Sequence, residues 1–562
     1  MTGFKKVEMM KNLSKIWIGL VAVALLTYSC DSLLDVDSER YVLAENHQLD
    51  SPNDTIYNMV GIFSQLSKLM DRYVLLGEVR ADLVDVTANA TPYITELNDF
   101  VYADDNPYID KKDYYEVINN CNFLIQNIDT AIVSSGAKVM YKEYAAAKAI
   151  RAWTYMQLVL NFGSAVYYEE PILDISDAEN EYPEYQLNEL ADALIADLLP
   201  WKEIGKPGSI SLGSNNLTTS RLFFPIKFQL GDLYLWKGEY ENAATQYYDL
   251  MVDREYQINE NYRALWEVEN NAFVSKTGYW DIIFSINTLE QITLLAASTE
   301  LGEGAELDTI SLYKYEIAPS EVALKNWESQ VYYHTASLTT EGDLRGEDNS
   351  YYDLSGITGI STGSNSTVYK GEYGNVITKY YSMSNSSAKA IILYRTGLLY
   401  LRYAEAINRS GRPNLAFATL KNGLSAETMS VDSIVPPREK YNSYTETMHT
   451  FNSFTDFEDI MFDDSRGVHE RGSGNVYLAK DYKIPELSSL DDSIEYVENK
   501  IVEELALETA FEGNRFHDLM RIAIRRNDPV YLADKVAAKH TENKAAIRAK
   551  LEDMNNWYLP SK

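Results

Sequence analysis

Cysteine is almost missing from this chain: Cys30 and Cys121 are the only two in 562 residues. Two cysteines cannot build a disulfide framework or a thiolate metal site. Histidine is scarce too. His47, His334, His449, His469, His517 and His540 are all there are, and no two stand four apart, as a zinc pair on one helix face requires. No glycine-rich phosphate loop is present. Basic residues are outnumbered, 50 Lys and Arg against 83 Asp and Glu, for a formal charge of −33. That excludes the basic stripe that nucleic acid needs and disfavours docking on anionic headgroups. Neither a cofactor nor a metal is expected. Asp104-Asp105-Asn106 and Asp463-Asp464-Ser465 offer calcium-type oxygens but read as solvated acidic loops. Among 83 acids any carboxylate pair suited to glycoside hydrolysis can be picked out, so none is informative.

What the chain does contain is a folding composition, 46% hydrophobic, with 43 Tyr against 17 Phe and 8 Trp. Tyrosine joins an apolar face to a polar tip and suits wet, half-buried surfaces. The amino terminus reads as a signal peptide over residues 1–29. Lys11 and Lys15 precede an apolar stretch at 16–26, too short for a confident membrane span. Ser29 before Cys30 is similar to a lipoprotein cleavage site, which would make Cys30 the lipidated first mature residue. Asp31, Asp35 and Asp37 follow it, and residues 30–55 read as a tether. Cys121 is then left without a partner and reads as a small buried apolar residue.

The folded part, 56–562, is organised around residues 221–251. Leu230-Gly231-x-x-Tyr234 and Ala243-x-x-x-Tyr247 match the two halves of a tetratricopeptide unit, with Gly238 at the turn. Ala404, Gly411, Ala416 and Leu420 repeat the spacing of Gly231, Gly238, Ala243 and Tyr247. Periodicity predicts further helices at 56–76, 114–130, 141–162, 187–199, 391–410, 415–424, 494–511 and 515–526, and a strand-like run at 279–285. The class is mainly α. A helical frame (56–265, 391–425 and 494–526) holds long irregular segments, chiefly 80–103 and 285–390, with 430–490 also irregular.

Several segments in this order resemble the SusD/RagB family of outer-membrane nutrient-binding lipoproteins. They are Ser32-Leu33-Leu34-Asp35-Val36 after the lipid cysteine, residues 115–122, and 143–163 with Arg151-Ala152, Tyr155 and Phe162-Gly163. Ile283-Phe284-Ser285, Asp343-x-Arg345, Lys379-Tyr380 and residues 403–408 follow, and Glu504-Leu505-Ala506 with residues 511–519 closes the series. The resemblance implies tetratricopeptide-like helix pairs carrying a ligand site on irregular loops. It also implies no enzymatic activity, and a SusC-like TonB-dependent transporter as partner at the outer membrane. The ligand implied is an oligosaccharide, or a peptide in the RagB branch.

Saccharide recognition needs flat aromatic faces and planar polar groups. Two segments could supply them. In the first, Arg80, Asp82, Asp85, Asn89 and Tyr93 lie where the family carries part of its site, although Arg80 and Asp82 could instead pair with each other. Glycan-binding members often carry Trp there, and this chain has none between Trp17 and Trp153. In the second, Trp327, Tyr332 and Tyr333 cluster in the loop-rich tract. Trp153, Trp236, Trp280 and His517 read as structural. The expected function is capture of a nutrient oligosaccharide at the cell surface. The alternatives are peptide capture, a tetratricopeptide scaffold for proteins, and a surface glycosidase.

Overall fold

Alanine lets helices approach closely, and the centre of the structure is built on that. The computed structural model describes residues 52–560 apart from short internal stretches, the longest being 383–387. The signal peptide, Cys30 and most of the tether lie outside the described residues. Residues 50–562 form one compact unit.

In chain order the main helices begin with α1 (Pro52–Ser67), α2 (Met70–Glu78), α3 (Pro92–Asp99), α4 (Lys112–Asn127) and α5 (Tyr141–Phe162). They continue with α6 (Leu187–Leu198), α7 (Ile226–Lys237), α8 (Tyr240–Arg254), α9 (Glu321–Glu328), α10 (Thr396–Arg409) and α11 (Pro413–Lys421). The last are α12 (Leu490–Glu508), α13 (Arg515–Arg526), α14 (Pro529–Ala537) and α15 (Lys544–Leu551). The strands that matter are β1 (Val84–Val86), β2 (Gln291–Ser298), β3 (Ile317–Pro319), β4 (Val331–Thr335) and β5 (Ala388–Arg395). The class is mainly α, as the sequence predicts, with only small sheets.

Helix α5 is buried on nearly every side, with Ala145, Ala146, Ala147, Ala149 and Ala152 among its inward residues. A helix buried on nearly every side must sit between neighbours, and α4, α6 and α7 pack against it. Gly163 ends it at φ 84°, donating its N–H to the Val159 carbonyl at 2.9 Å. Cys121 is fully buried on α4, and burial pushes its thiol up to about 12.

The two tetratricopeptide-like units end alike. Gly238 (φ 79°) and Gly411 (φ 88°) take the left-handed conformation that glycine adopts at little cost. Glu239 N–H then reaches back to the Tyr234 carbonyl (2.9 Å), and Arg412 N–H to that of Ile407 (3.1 Å), the same five-residue return. Helix α7 packs on α8, α8 on α10, and α10 on α11 and α12. Within the first unit Gly231 lies under the Tyr247 ring. A Cβ added there would fall inside van der Waals contact with three ring atoms. The Tyr247 hydroxyl donates to Asp232 at 2.6 Å, so the ring cannot swing away without losing that bond. Gly231→Leu is therefore expected to destabilise the fold by about 1–3 kcal/mol or more, as overpacking does. A thermal melt checks this, and an unshifted midpoint would mean that the ring gives way freely.

Three sequence expectations change. Residues 281–284 form a 3-10 turn, not a strand. Residues 388–395 are strand β5, and the helix expected from 391 starts only at Thr396. The run Ile391-Ile392-Leu393-Tyr394 is apolar without period and buried, which fits a strand as well as a helix. It pairs antiparallel with β2, Ile391 opposite Leu295. Third, residues 56–76 divide at 68–69 into α1 and α2. Helices α14 and α15 extend beyond 526, the last residue the helical periodicity reached.

The ends of the described chain clasp each other. Gly77 on α2 lies against the backbone of Gly513, leaving no room for a side chain. The Glu78 carboxyl accepts N–H groups from Gly513 (2.7 Å) and Phe511 (3.2 Å), and burial pushes it up to about 8.

Candidate functional site

Three of the segments that carry the resemblance, Asp343-x-Arg345, Lys379-Tyr380 and the one spanning Glu504 to Glu512, meet in a buried ionic cluster. Arg345 donates to Asp343 (2.7 Å), Glu504 (2.6 Å) and Glu508 (2.8 Å). Arg395 reaches Glu508 (2.6 Å), Glu512 (2.8 Å) and Glu290 (3.3 Å), and Arg471 reaches Glu508 (2.5 Å) and Glu290 (2.9 Å). Lys379 pairs with Glu512 at 2.7 Å. The Trp280 ring lies 5.3–5.9 Å from the three guanidinium carbons and the Lys379 ammonium. Burial opposes charge on Glu508, but Arg471, Arg395 and Arg345 outweigh it and hold this carboxyl well below its usual range. These groups are sealed from solvent. They tie α12 to β5 and to the turn holding Trp280.

Four of the eight expected site residues are buried as well. The Arg80 guanidinium stacks 4.1 Å over Phe516 and donates to Asn161 Oδ1 (3.3 Å) and the Trp557 carbonyl. Asp82 pairs with Arg515 through both oxygens, at 2.7 and 2.8 Å, so the Arg80–Asp82 pair is absent. Trp327 donates its indole N–H to Leu507 at 3.2 Å and packs on Tyr351 and Phe511. Tyr332 is sealed in, donating to Asp343 at 2.8 Å. The second segment is not the loop that its composition suggested. Ser320 caps α9, and Ala323 and Trp327, four apart, face inward. A Ser cap followed by that spacing is a readable helix signal.

Asp85, Asn89 and Tyr93 remain at the surface, in half-buried or exposed positions. Strand β1 sets Asp85 opposite Ala318 of β3. Asn89 Nδ2 donates to the Tyr315 carbonyl at 3.3 Å, and Thr87 Oγ1 donates to the same oxygen. Those bonds hold Tyr315 at φ 48°, a left-handed conformation that costs a bulky residue and recurs at ligand sites. Glu316 accepts the Thr91 N–H at 2.9 Å, just before α3, where Pro92 fixes the first turn. On α3, Tyr93 donates to Asp105 at 3.2 Å. The result is a pre-shaped surface with one partly exposed ring flanked by amide and carboxylate groups. Tyr315 was not anticipated. The signal was an aromatic pair, Tyr313 and Tyr315, inside the loop-rich tract. Tyr333 is half-buried on β4, which belongs to a separate small sheet with residues 338–341 and 477–478.

The spacing Gly359-x-Ser361-x-Gly363 is that of a nucleophile elbow. Ser361 instead lies in a two-residue strand paired with Ser366–Thr367, not on a strand-to-helix turn. Buried His517 is held down to about 3, first by burial and then by Arg80, so it stays neutral at ordinary pH.

Taken together, these helix pairs and the loops packed on them form a SusD-like fold. Solved structures share it. One is a laminarin binding SusD-like protein (TM-score 0.54, 15% identity, 90% of this chain and 95% of that one). Another is NanU of B. fragilis (TM-score 0.54, 16% identity, 90% and 95%). A third is a SusD superfamily protein of Bacteroides thetaiotaomicron (TM-score 0.52, 16% identity, 91% and 95%). In sequence, SusD-like protein P2 of Formosa agariphila is 24% identical over 470 residues, 79% of this chain and 78% of that protein. No protein-family model matches. The chain has a SusD-like fold.

Proposed function

We propose that this chain is a non-enzymatic receptor that captures a saccharide at the cell surface and passes it to a SusC-like TonB-dependent outer-membrane transporter. The observation carrying this reading is the surface of Asp85, Asn89 and Tyr93, braced on strained Tyr315, in a fold shared with a laminarin binding protein. One ring and a few fixed polar groups suit a ligand that must later be released. Affinity of about micromolar to millimolar, roughly −8 to −4 kcal/mol, is sufficient. Affinity electrophoresis on laminarin and a panel of other glycans tests it, with a peptide pool as the contrasting arm. Retardation by glycans is expected. Binding of peptides alone would move the reading to peptide capture, and binding of neither would leave a protein scaffold. Tyr93→Ala is expected to lose at least tenfold in affinity, since truncating a central aromatic anchor costs about 2 kcal/mol or more. The melting midpoint should stay put, because the ring is partly exposed.

Residues 1–29 are on this reading a cleaved signal peptide, and Cys30 carries the lipid that holds the protein through the 30–55 tether. Among the described residues no helix is long and apolar enough to cross a membrane. Cys30→Ala is therefore expected to move the folded protein from the membrane pellet to the soluble fraction. Unchanged pelleting would refute the anchor.

A further inference from the structure

A cleft runs between α9, α12 and α14. It comprises two cavities of about 370 and 430 Å³ that share Asn326, Glu503 and Lys535 as walls. Their sizes fall in the range of small-molecule sites. None of Asp85, Asn89, Tyr93 or Tyr315 lines either one.

The charges facing this cleft are settled with one exception. Asp82 is paired with Arg515 at 2.7 Å. Glu503 is paired with Lys500 at 2.7 Å, and Asp534 with Arg548 at 2.5 Å. Asp528 spends an oxygen on the N–H groups of Val530 (3.0 Å) and Tyr531 (3.3 Å), capping α14. Nearby Arg526 is paired with Glu498 at 2.6 Å. Lys535 has no hydrogen bond and no carboxylate within 4.0 Å among the described residues, although it is half-buried between the two cavities. Burial and the neighbouring Arg515 disfavour its charge, Asp82 and Glu503 at longer range favour it, and its ammonium lies 6.0 Å from the centre of the Tyr531 ring. An ammonium in that position gains from an anion that can enter. The Asn326 side chain, across the cleft on α9, likewise has no partner among the described residues and offers an amide beside it.

The rest of the wall suits a polyhydroxylated ring. Tyr482, packed on His469 (4.5 Å between centroids) and Phe417 (5.1 Å), borders the cleft with Tyr496 and Tyr531, whose rings lie under Lys500 (5.9 Å) and Arg526 (4.5 Å). Phenol hydroxyls and amides can take a sugar's hydroxyls. The overall charge of −33 does not forbid an anion here, because charges beyond about 8 Å are screened at physiological salt.

We propose that this cleft is a second binding site, distinct from the Tyr93 surface, and that it takes a saccharide bearing a carboxylate, which pairs with Lys535 while Asn326 holds a neighbouring hydroxyl. The inference goes beyond the capture reading and does not depend on it.

Calorimetric titration of the whole folded chain with tri-galacturonate, neutral maltotriose and acetate tests it. The acidic trimer is expected to bind, with maltotriose at least tenfold weaker at this site and acetate undetectable. Lys535→Met should cost the acidic trimer at least tenfold, and Asn326→Ala, on the opposite wall, several-fold. Lys142→Met, a surface lysine on α5, should change nothing. Melting curves of each variant establish that it is folded, and Asn326→Ala carries the test if Lys535→Met is not. Absence of binding by the acidic trimer overturns the proposal. So does parental affinity in folded Lys535→Met, or in Asn326→Ala where that variant carries the test. Acetate competing as well as the trimer would reduce the site to one for small carboxylates and overturn its saccharide assignment.

Discussion

Glu508→Ala is expected to leave the protein unfolded or barely folded. This one carboxylate accepts from Arg345, Arg395 and Arg471, and none of the four side chains is exposed to solvent. Removing one partner of a buried pair costs about 3–5 kcal/mol, because the charge left behind can recover neither water nor a counterion. Here three cations lose a partner together. The loss is not threefold, since Arg345 keeps Asp343 and Glu504, Arg395 keeps Glu512 and Glu290, and Arg471 keeps Glu290. Even so, the expected loss is a large part of a typical total stability of about 5–15 kcal/mol. Denaturant titration followed by circular dichroism reads it directly. A midpoint equal to the parent's would show that water reaches the cluster. The sign of the pH effect follows. Glu508 is depressed in the folded state, so its contribution is complete above the unfolded carboxylate value of about 4.3 and is lost only as pH falls towards the folded one.

Trp327→Ala should be the second most damaging change. The ring is buried against Tyr351 and Phe511, its N–H is bonded to the Leu507 carbonyl, and Gly346 lies against its face. Truncating a buried Trp costs about 3–5 kcal/mol through lost burial and the cavity left behind, and the Leu507 carbonyl loses its partner as well. The melting midpoint is expected to fall sharply. The fraction that stays folded should bind ligand like the parent, because the Trp327 ring is buried. A variant that melts normally but no longer binds would return Trp327 to the ligand site.

The frame was legible where local rules decide. Gly163, Gly238 and Gly411 mark helix ends by backbone conformation alone, and the Gly231–Tyr247 spacing encodes one close contact. The strand pair β2–β5 was not legible, because its partners lie almost a hundred residues apart and a short apolar run has no period of its own. Surface exposure was legible for half of the expected site residues. Asp85, Asn89 and Tyr93 are polar or amphipathic and stay near water. Arg80 and Asp82 look the same in sequence, but apart from Asn161 the partners named above, Trp557, Phe516 and Arg515, lie more than four hundred residues away. No local pattern carries that information, so a polar side chain was read as a surface one. That Lys535 has no ion pair among the described residues was invisible for the same reason: pairing is a property of the folded neighbourhood.

The clasp between residues 77–82 and 511–515 has a consequence for biogenesis. A growing polypeptide emerges from its amino terminus, and Gly77, Glu78 and Asp82 must wait for more than four hundred further residues before their partners exist. Through that interval Glu78 has neither the Phe511 nor the Gly513 amide to receive. Arg345, Arg395 and Arg471 likewise come into being before the carboxylates at 504, 508 and 512. The clasp itself can therefore close only after the final helices have been made.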